Sequence, residues 1–241
     1  MTPEQYRALD QFRRDFKTQL CAWNDALPEL SRLQKEAADA DRIPPYPIET
    51  PIVYNNSLDD FTESSDIRLI VVGDNPGKDE QRTKNNRYFV GQSGKLGDGF
   101  FKNHFDELHV AFRKNVLILN KTPIHTARTS QLKYIIAHGG SALVQETQRW
   151  MAQRTGMLAS SLKAHIWLVG YSELQKKNGI FREYRNELKR SASWDSLFVF
   201  RHFSMNQFST DLKNFVAQHP ELSFKDALIL LGQTHRNEIF V

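Results

Sequence analysis

The chain has 241 residues, 40% of them apolar and 11% aromatic, and its 32 basic and 28 acidic side chains leave a net charge of +4. This composition supports a sizeable core and argues against a disordered chain. No apolar run is long enough to span a bilayer, the charged N-terminus lacks a signal-peptide core, and the single cysteine excludes a disulfide framework, so we expect a cytoplasmic protein.

The first 60 residues are predicted to form a helix followed by a proline-rich connector. Apolar residues recur every three or four positions from Tyr6 to Leu27, which is the pattern of an amphipathic helix. The stretch RIPPYPIETP (42–51) cannot be helical, because proline lacks an amide donor and restricts its predecessor. We expect residues 1–60 to pack on the remainder of a single, monomeric domain that covers residues 1–241.

Four short runs further along are rich in β-branched and aromatic residues. They are IRLIVV (67–72), NVLIL (115–119), HIWLV (165–169) and SLFVF (196–200). Their near-continuous apolar character is typical of strands in a parallel sheet that is covered on both faces. Because helical patterns separate them, we predict an α/β fold: a three-layer α/β/α sandwich with a central four-stranded parallel sheet.

The segments between and after the strands carry helical periodicity. One helix is predicted from Leu96 to Phe112, and two more at 142–153 and 181–190. Two further helices close the chain, at 206–218 and 223–232, and the second opens with the cap signal Ser-x-x-Asp.

Polar side chains follow three of the predicted strands. Asp74 and Asn75 come after the first, Asn120 ends the second, and His202 follows the fourth. Ligands bind outside the carboxyl ends of strands in open parallel sheets, so we expect these residues to share one pocket. A carboxamide can read the edge of a planar base, an imidazole can stabilise an anion, and a carboxylate can orient water. Taken singly, the same residues also fit turn caps or satisfied core groups.

Four segments, in order, resemble the uracil-DNA glycosylase superfamily, and their layout is most similar to its thermophile iron–sulfur branch. They are GDNPG (73–77), RYFVGQSGKLGDGFF (87–101), VLILN (116–120) and HFSMNQ (202–207). The resemblance implies a DNA glycosylase of base excision repair, which hydrolyses the N-glycosidic bond of uracil or another deaminated base. Its partner would be DNA that carries such a base, and the reaction would need no metal and no other cofactor.

The resemblance also implies roles for individual residues. Phe89 would stack on the extruded base and Asn120 would hydrogen-bond its Watson–Crick edge, in a pocket that Gly73 and Gly77 help to form. His202 would stabilise the departing base anion. Asp74 falls where one branch carries a catalytic glutamate and Asn75 where others carry a water-positioning asparagine, so either of them could place the water.

Other residues are predicted to hold the DNA strand. Residues 78–128 contain ten basic and five acidic side chains, against three and ten in residues 21–66, which can create a basic face. The predicted contacts to the DNA backbone, or wedges into the vacated stack, are Ser93, Lys95, Lys121, Arg128, Ser204, Met205 and Phe208. Phe208 fits an anchor for the following helix equally well.

The chain also departs from the family pattern. Cys21 is its only cysteine, so we expect no iron–sulfur cluster. Phe203 replaces the usual proline of the second catalytic motif, and Gly77 replaces the tyrosine that excludes thymine. A catalytically silent nucleic-acid-binding protein and a small-molecule hydrolase of the esterase type are the alternative functions, and the base could be uracil, hypoxanthine or xanthine.

Overall fold

A computed structural model describes residues 1–240 and contains one four-stranded sheet. The strands are β1 (Leu69–Gly73), β2 (Val116–Asn120), β3 (His165–Val169) and β4 (Leu197–Phe200). They lie in the order β2-β1-β3-β4, and every neighbouring pair is parallel. The predicted four-stranded parallel sheet is therefore confirmed.

Within residues 1–240 the chain forms ten α-helices. They are α1 (Pro3–Ala26), α2 (Leu30–Ala40), α3 (Gln92–Asn103), α4 (Phe105–Leu108), α5 (Leu132–Ile135), α6 (Ser141–Leu162), α7 (Tyr171–Gln175), α8 (Arg182–Ser191), α9 (Gln207–Gln218) and α10 (Phe224–Phe240). The Ser-x-x-Asp signal does cap α10, because Ser223 Oγ accepts a hydrogen bond from the Asp226 amide. None of the helices described is long and apolar enough to cross a membrane.

The sheet separates two apolar cores, because successive side chains of a strand point to opposite faces. Ile70 and Val72 of β1 join a core with α1, α2, α6 and α8, whereas Leu69 and Val71 join a core with α3, α9 and α10. All four side chains are buried. The chain is thus an α/β/α sandwich, and its strands are apolar except at their ends, Asn120 of β2 and His165 of β3, because helices cover both faces.

The helix predicted from Leu96 to Phe112 is shorter than expected. Helix α3 ends at Asn103, and α4 ends at Leu108, before His109, whose φ of +52° is left-handed. Phe112 lies outside both helices, yet it is buried and stacks on Phe101 with 5.4 Å between ring centroids. Its apolar character reflects core packing rather than helical periodicity, so the prediction was wrong for this end of the segment.

The N-terminal segment packs on the sandwich through α6. Phe16 of α1 stacks on Trp150 at 5.4 Å, and Trp23 Nε1 donates a hydrogen bond to Glu146 Oε1 at 2.9 Å. The segment contains two helices, α1 and α2, where the sequence predicted one. The proline-rich stretch 42–51 is non-helical, as expected.

Helix α10 lies so close to β4 that Gly232 has no room for a side chain. A Cβ there would come within 2.6 Å of the Phe200 ring and 2.9 Å of Phe198 Cβ.

We expect Gly232→Val to lower the free energy of unfolding by about 1–3 kcal/mol in urea titrations, because overpacking displaces the helix. Gly99→Ala in α3 is the control: the space beside Gly99 is open, so the change should be neutral or stabilise by up to about 1 kcal/mol. Equal losses in both variants would contradict this account.

Candidate active site

A cavity of about 430 Å³ opens at the carboxyl edge of the sheet. Its lining includes seven of the residues singled out from the sequence: Asp74, Asn75, Gly77, Phe89, Ser93, Asn120 and His202. They meet because β1, β2 and β4 are parallel and end at the same edge. The volume falls in the range of small-molecule binding sites.

Asn120 brings an unpaired amide to this cavity. It is 2% exposed, and its Nδ2 is buried without a hydrogen-bond partner among the described residues. Asn120 lies opposite Gly73 in the β1–β2 register, and a Cβ on Gly73 would approach Asn120 Oδ1 to 2.5 Å. A buried donor without an acceptor costs about 1–3 kcal/mol, so a ligand oxygen at this point recovers that cost.

Phe89 forms an aromatic wall of the cavity in a constrained backbone conformation. Its φ is +57°, which is uncommon for a residue with a side chain, and its ring is 3% exposed. The Phe89 amide donates to Glu80 Oε1 at 2.6 Å, and Arg113 donates to the Phe89 carbonyl at 2.5 Å. These two bonds hold the strained residue in place from both sides of its backbone.

Glu80 is a residue of this site that the sequence interpretation missed. Besides Phe89, its carboxylate accepts a hydrogen bond from the Gly77 amide at 3.0 Å, so it joins two walls of the cavity. Burial raises the pKa of Glu80 to about 7, against the opposing effects of these amides and of Arg113. The spacing Gly-x-x-Glu was the available signal, since a glutamate three residues on often reaches back to a free amide.

His202 is oriented by the residue two positions later. The Ser204 amide donates to His202 Nδ1 at 3.1 Å, and the Ser204 hydroxyl lies 2.8 Å from the same nitrogen. Because a backbone amide can only donate, Nδ1 accepts and the neutral ring carries its proton on Nε2. Burial lowers the pKa of His202, Lys121 lowers it further and Asp74 opposes both. The neutral ring therefore offers one N–H donor, at Nε2.

In both Asp74 and Asn75, one polar atom of the side chain is bound by another residue and the other is free. Asp74 Oδ1 lies 2.5 Å from Lys121 Nζ, and Asn75 Nδ2 donates to Thr126 Oγ1 at 2.8 Å. Within residues 1–240, neither Asp74 Oδ2 nor Asn75 Oδ1 has a hydrogen-bond partner. Two acceptor oxygens on adjacent residues are thus available to a water molecule in the cavity.

Two predicted DNA contacts are corrected by their burial. Lys121 is 0% exposed and paired with Asp74, so it cannot reach a phosphate. Phe208 is 2% exposed and packs on Phe203 with 4.8 Å between ring centroids, so it anchors α9 and cannot act as a wedge. Both side chains were predicted from position in the sequence, which does not report the direction in which they point.

Of the other predicted DNA contacts, only Ser93 is part of the cavity lining. Ser93 lies in the first turn of α3, and Ser204 is bonded to His202. Met205 is 83% exposed with a φ of +55°, and Arg128 is exposed on the loop after β2. Lys95 is exposed beside a separate groove between α3 and α9.

The proline-rich stretch is fastened to the loop that follows Asp74. Gln81 Oε1 accepts from the amides of Glu49 and Thr50, at 2.7 and 3.1 Å. Tyr46 Oη lies 3.0 Å from His125 Nε2, and His125 Nδ1 lies 2.9 Å from the Pro76 carbonyl. Since a carbonyl only accepts, Nδ1 of His125 carries a proton, and the ring is neutral at pH 7 because burial lowers its pKa to about 4. The N-terminal segment therefore braces the cavity from outside.

No cluster of three or more potential metal ligands occurs among the side chains of residues 1–240. Comparisons with protein-family models, curated proteins and solved structures found no match to this chain. The residues of the cavity are therefore the indication of function that this chain offers.

The buried His125 should make stability depend on pH. Burial lowers its pKa to about 4, so between pH 6.5 and 4 the unfolded chain holds a proton that the folded protein lacks. The free energy of unfolding therefore loses about 3 kcal/mol from this group as the pH falls through that window. Glu80 acts in the opposite direction between pH 4.5 and 7, because its folded pKa is raised.

Comparison with His125→Asn separates the two groups, because the asparagine amide can still donate to Pro76 and does not titrate. We expect the difference in unfolding free energy between wild type and this variant to shrink as the pH falls from 6.5 to 4. Urea titrations across this range measure it. A difference that stays constant would contradict the assignment to His125.

Proposed function

We propose that this chain is a metal-independent DNA glycosylase that hydrolyses the N-glycosidic bond of uracil or a related deaminated base, a step of base excision repair. Such an enzyme must draw the base out of the stack, at a cost on the order of a few kcal/mol, and enclose it in a fitted pocket. The cavity at the carboxyl edge of the sheet has an aromatic wall, an amide and an imidazole for this purpose.

The observation that carries the proposal is the unpaired Nδ2 of Asn120. A buried donor selects an acceptor on the ligand. Cytosine presents an exocyclic amine on its base-pairing edge, which is a donor, whereas the carbonyl that replaces it on deamination is an acceptor. The same logic separates hypoxanthine from adenine. The cavity therefore favours deaminated bases over their parents.

The remaining groups suit the two charges of the reaction. Bond cleavage passes through an oxocarbenium-like sugar and a departing base anion. The Nε2–H of neutral His202 can donate to that anion without having to give up a proton. Asp74 Oδ2 and Asn75 Oδ1 can accept the hydrogens of a water molecule and direct its oxygen at the sugar carbon. When that oxygen bonds to the carbon, the proton that the water gives up neutralises the base anion, so the products are an abasic sugar and the free base.

DNA contacts around the cavity complete the proposal. The amino terminus of α3, with Ser93, offers backbone amides and a hydroxyl to a phosphate. Met205 is an exposed apolar side chain at the tip of the segment after His202, which suits a wedge into the vacated stack. Arg128 and Lys95 add salt-sensitive attraction to the backbone.

A glycosylase panel tests the proposal directly. Single- and double-stranded oligonucleotides carrying uracil, hypoxanthine or xanthine are incubated with the protein, and abasic sites are revealed by alkaline cleavage. Release of at least one of these bases, and not of cytosine or adenine, is expected. Oligonucleotide binding without release would instead favour a silent DNA-binding protein, and ester hydrolysis without DNA affinity would favour a small-molecule hydrolase.

Removing the anion-stabilising donor should nearly abolish the reaction. We expect His202→Ala to lower the single-turnover rate by about 100–1,000-fold, as loss of one such donor typically does. Asp74→Asn, which keeps the shape but not the charge, should cause a loss of similar size. Wild-type rates in both variants would refute the assignment of these residues.

The donor at Asn120 gives a sharper test of base recognition. Asn120→Leu has a similar volume and, unlike a buried aspartate, cannot be protonated into a donor. We expect it to lower excision of uracil by at least about 100-fold, because the acceptor on the base then meets no donor. Unchanged excision of uracil would show that Asn120 does not read the base.

A further inference from the structure

Lys121 occupies a closed site at the end of the sheet, directly behind Asp74. Its Nζ contacts three oxygens: Asp74 Oδ1 at 2.5 Å, the Val169 carbonyl at 2.6 Å and the Gly73 carbonyl at 3.4 Å. The side chain is 0% exposed, and the Phe181 ring lies 5.0 Å from Nζ. The ammonium group therefore joins the ends of β1 and β3 from its own position after β2.

Gly170 makes this approach possible. Its φ is +105°, and a Cβ there would collide with Asp74 Oδ1 and lie 3.1 Å from Lys121 Nζ. The Asp74 carboxylate thus contacts the backbone of Gly170 on one side and the ammonium group of Lys121 on another. Either contact, if altered, moves the carboxylate relative to the cavity.

We infer that Lys121 is a positioning residue for Asp74, an inference that rests on the proposed glycosylase function. By binding Oδ1, Lys121 fixes the orientation of the carboxylate and leaves Oδ2 available to a water molecule in the cavity. The ammonium group also neutralises much of the charge of Asp74, which then accepts a hydrogen bond from the attacking water.

A nucleophilic role for Lys121 is incompatible with these contacts. All three ammonium hydrogens have oxygen acceptors, and Nζ has no path to the sugar carbon from a fully buried position. Lys121 therefore forms no Schiff base with the sugar, and the reaction ends at the abasic site.

The same lysine acts on His202. Burial lowers the pKa of His202, Lys121 adds to that effect and Asp74 counters it. Of the other charged side chains nearby, Arg201 is paired with Asp211 at 3.2 Å, and Glu80 lies on the cavity wall. Removing the ammonium charge should therefore raise the pKa of His202 and extend its protonated range to higher pH.

The test compares Lys121→Met, which removes the charge and keeps the length, in two backgrounds. In the otherwise wild-type protein we expect kcat for base release to fall about 100-fold with KM little changed, since small displacements of a reacting group cost that much. The acid limb of the pH–rate profile should also move to higher pH. Lys114→Met, an exposed lysine at the opposite edge of the sheet, is the control and should leave base release unchanged.

In the Asp74→Asn background, Lys121→Met should change kcat less than threefold, because there is no carboxylate left to hold. The double variant removes both charges together, so it can fold even where the single variant leaves Asp74 without its partner. A tenfold or greater loss in the double variant, relative to Asp74→Asn alone, would overturn the inference. Gly170→Ala keeps every charge but displaces the carboxylate, and it should lower kcat without raising KM.

Two further measurements separate this inference from the proposed function. Borohydride trapping of a protein–DNA adduct that Lys121→Met abolishes would overturn the positioning role. The NMR titration of the His202 ring reports on the lysine without catalysis, and it should move to higher pH in Lys121→Met; coincident curves would also overturn the inference. If the His202 titration shifts in Lys121→Met but the wild type releases no base, the glycosylase function alone is refuted. The electrostatic effect of Lys121 on His202 would still hold.

Discussion

The cavity depends on the glycine at position 73, which has no side chain. Strands β1 and β2 lie in register, so that Gly73 faces Asn120, and any Cβ at position 73 would press within 2.5 Å of Asn120 Oδ1 and 2.7 Å of the Phe89 ring. Glycine at the end of β1 therefore lets the amide and the aromatic wall converge. The direction of the chain after β1 then places Asp74 and Asn75 on the same edge, and parallel strand order adds His202.

Around this contact, most of the buried charged groups have an ion-pair or hydrogen-bond partner. Lys121 holds Asp74, and the Glu80 carboxylate receives two backbone amides. His202 stays neutral because burial and the nearby ammonium group disfavour its cation. Eight buried polar side-chain atoms of residues 1–240 have no hydrogen-bond partner, and Asn120 Nδ2 is the one among them whose residue lines the cavity. Since native proteins leave few such groups, an unmet donor in a cavity is a stronger indication of a ligand than any of the satisfied charges.

The N-terminal segment has a structural role in the same site. Its proline-rich stretch is bonded to Gln81, and through Tyr46 it reaches His125, which in turn holds the carbonyl of Pro76. The turn that carries Asp74 and Asn75 is thereby braced from outside the sandwich. Proline suits this task, because it limits the number of conformations that the stretch loses when it becomes ordered.

The amino-acid sequence by itself determined the layered α/β fold, the four strands and the polar residues that end them, because apolar periodicity and strand-end position are local properties of the chain. It also indicated which residues would share the cavity, since parallel strands must end together. Only the tertiary structure decided the directions of the side chains. Lys121 follows Asn120 directly yet points behind the cavity to Asp74, Phe208 turns into the core, and Glu80 reaches the cavity from a loop. The direction of a side chain depends on the backbone groups and charges that it contacts, which come from distant parts of the chain. The spacing of residues along the sequence does not specify those contacts.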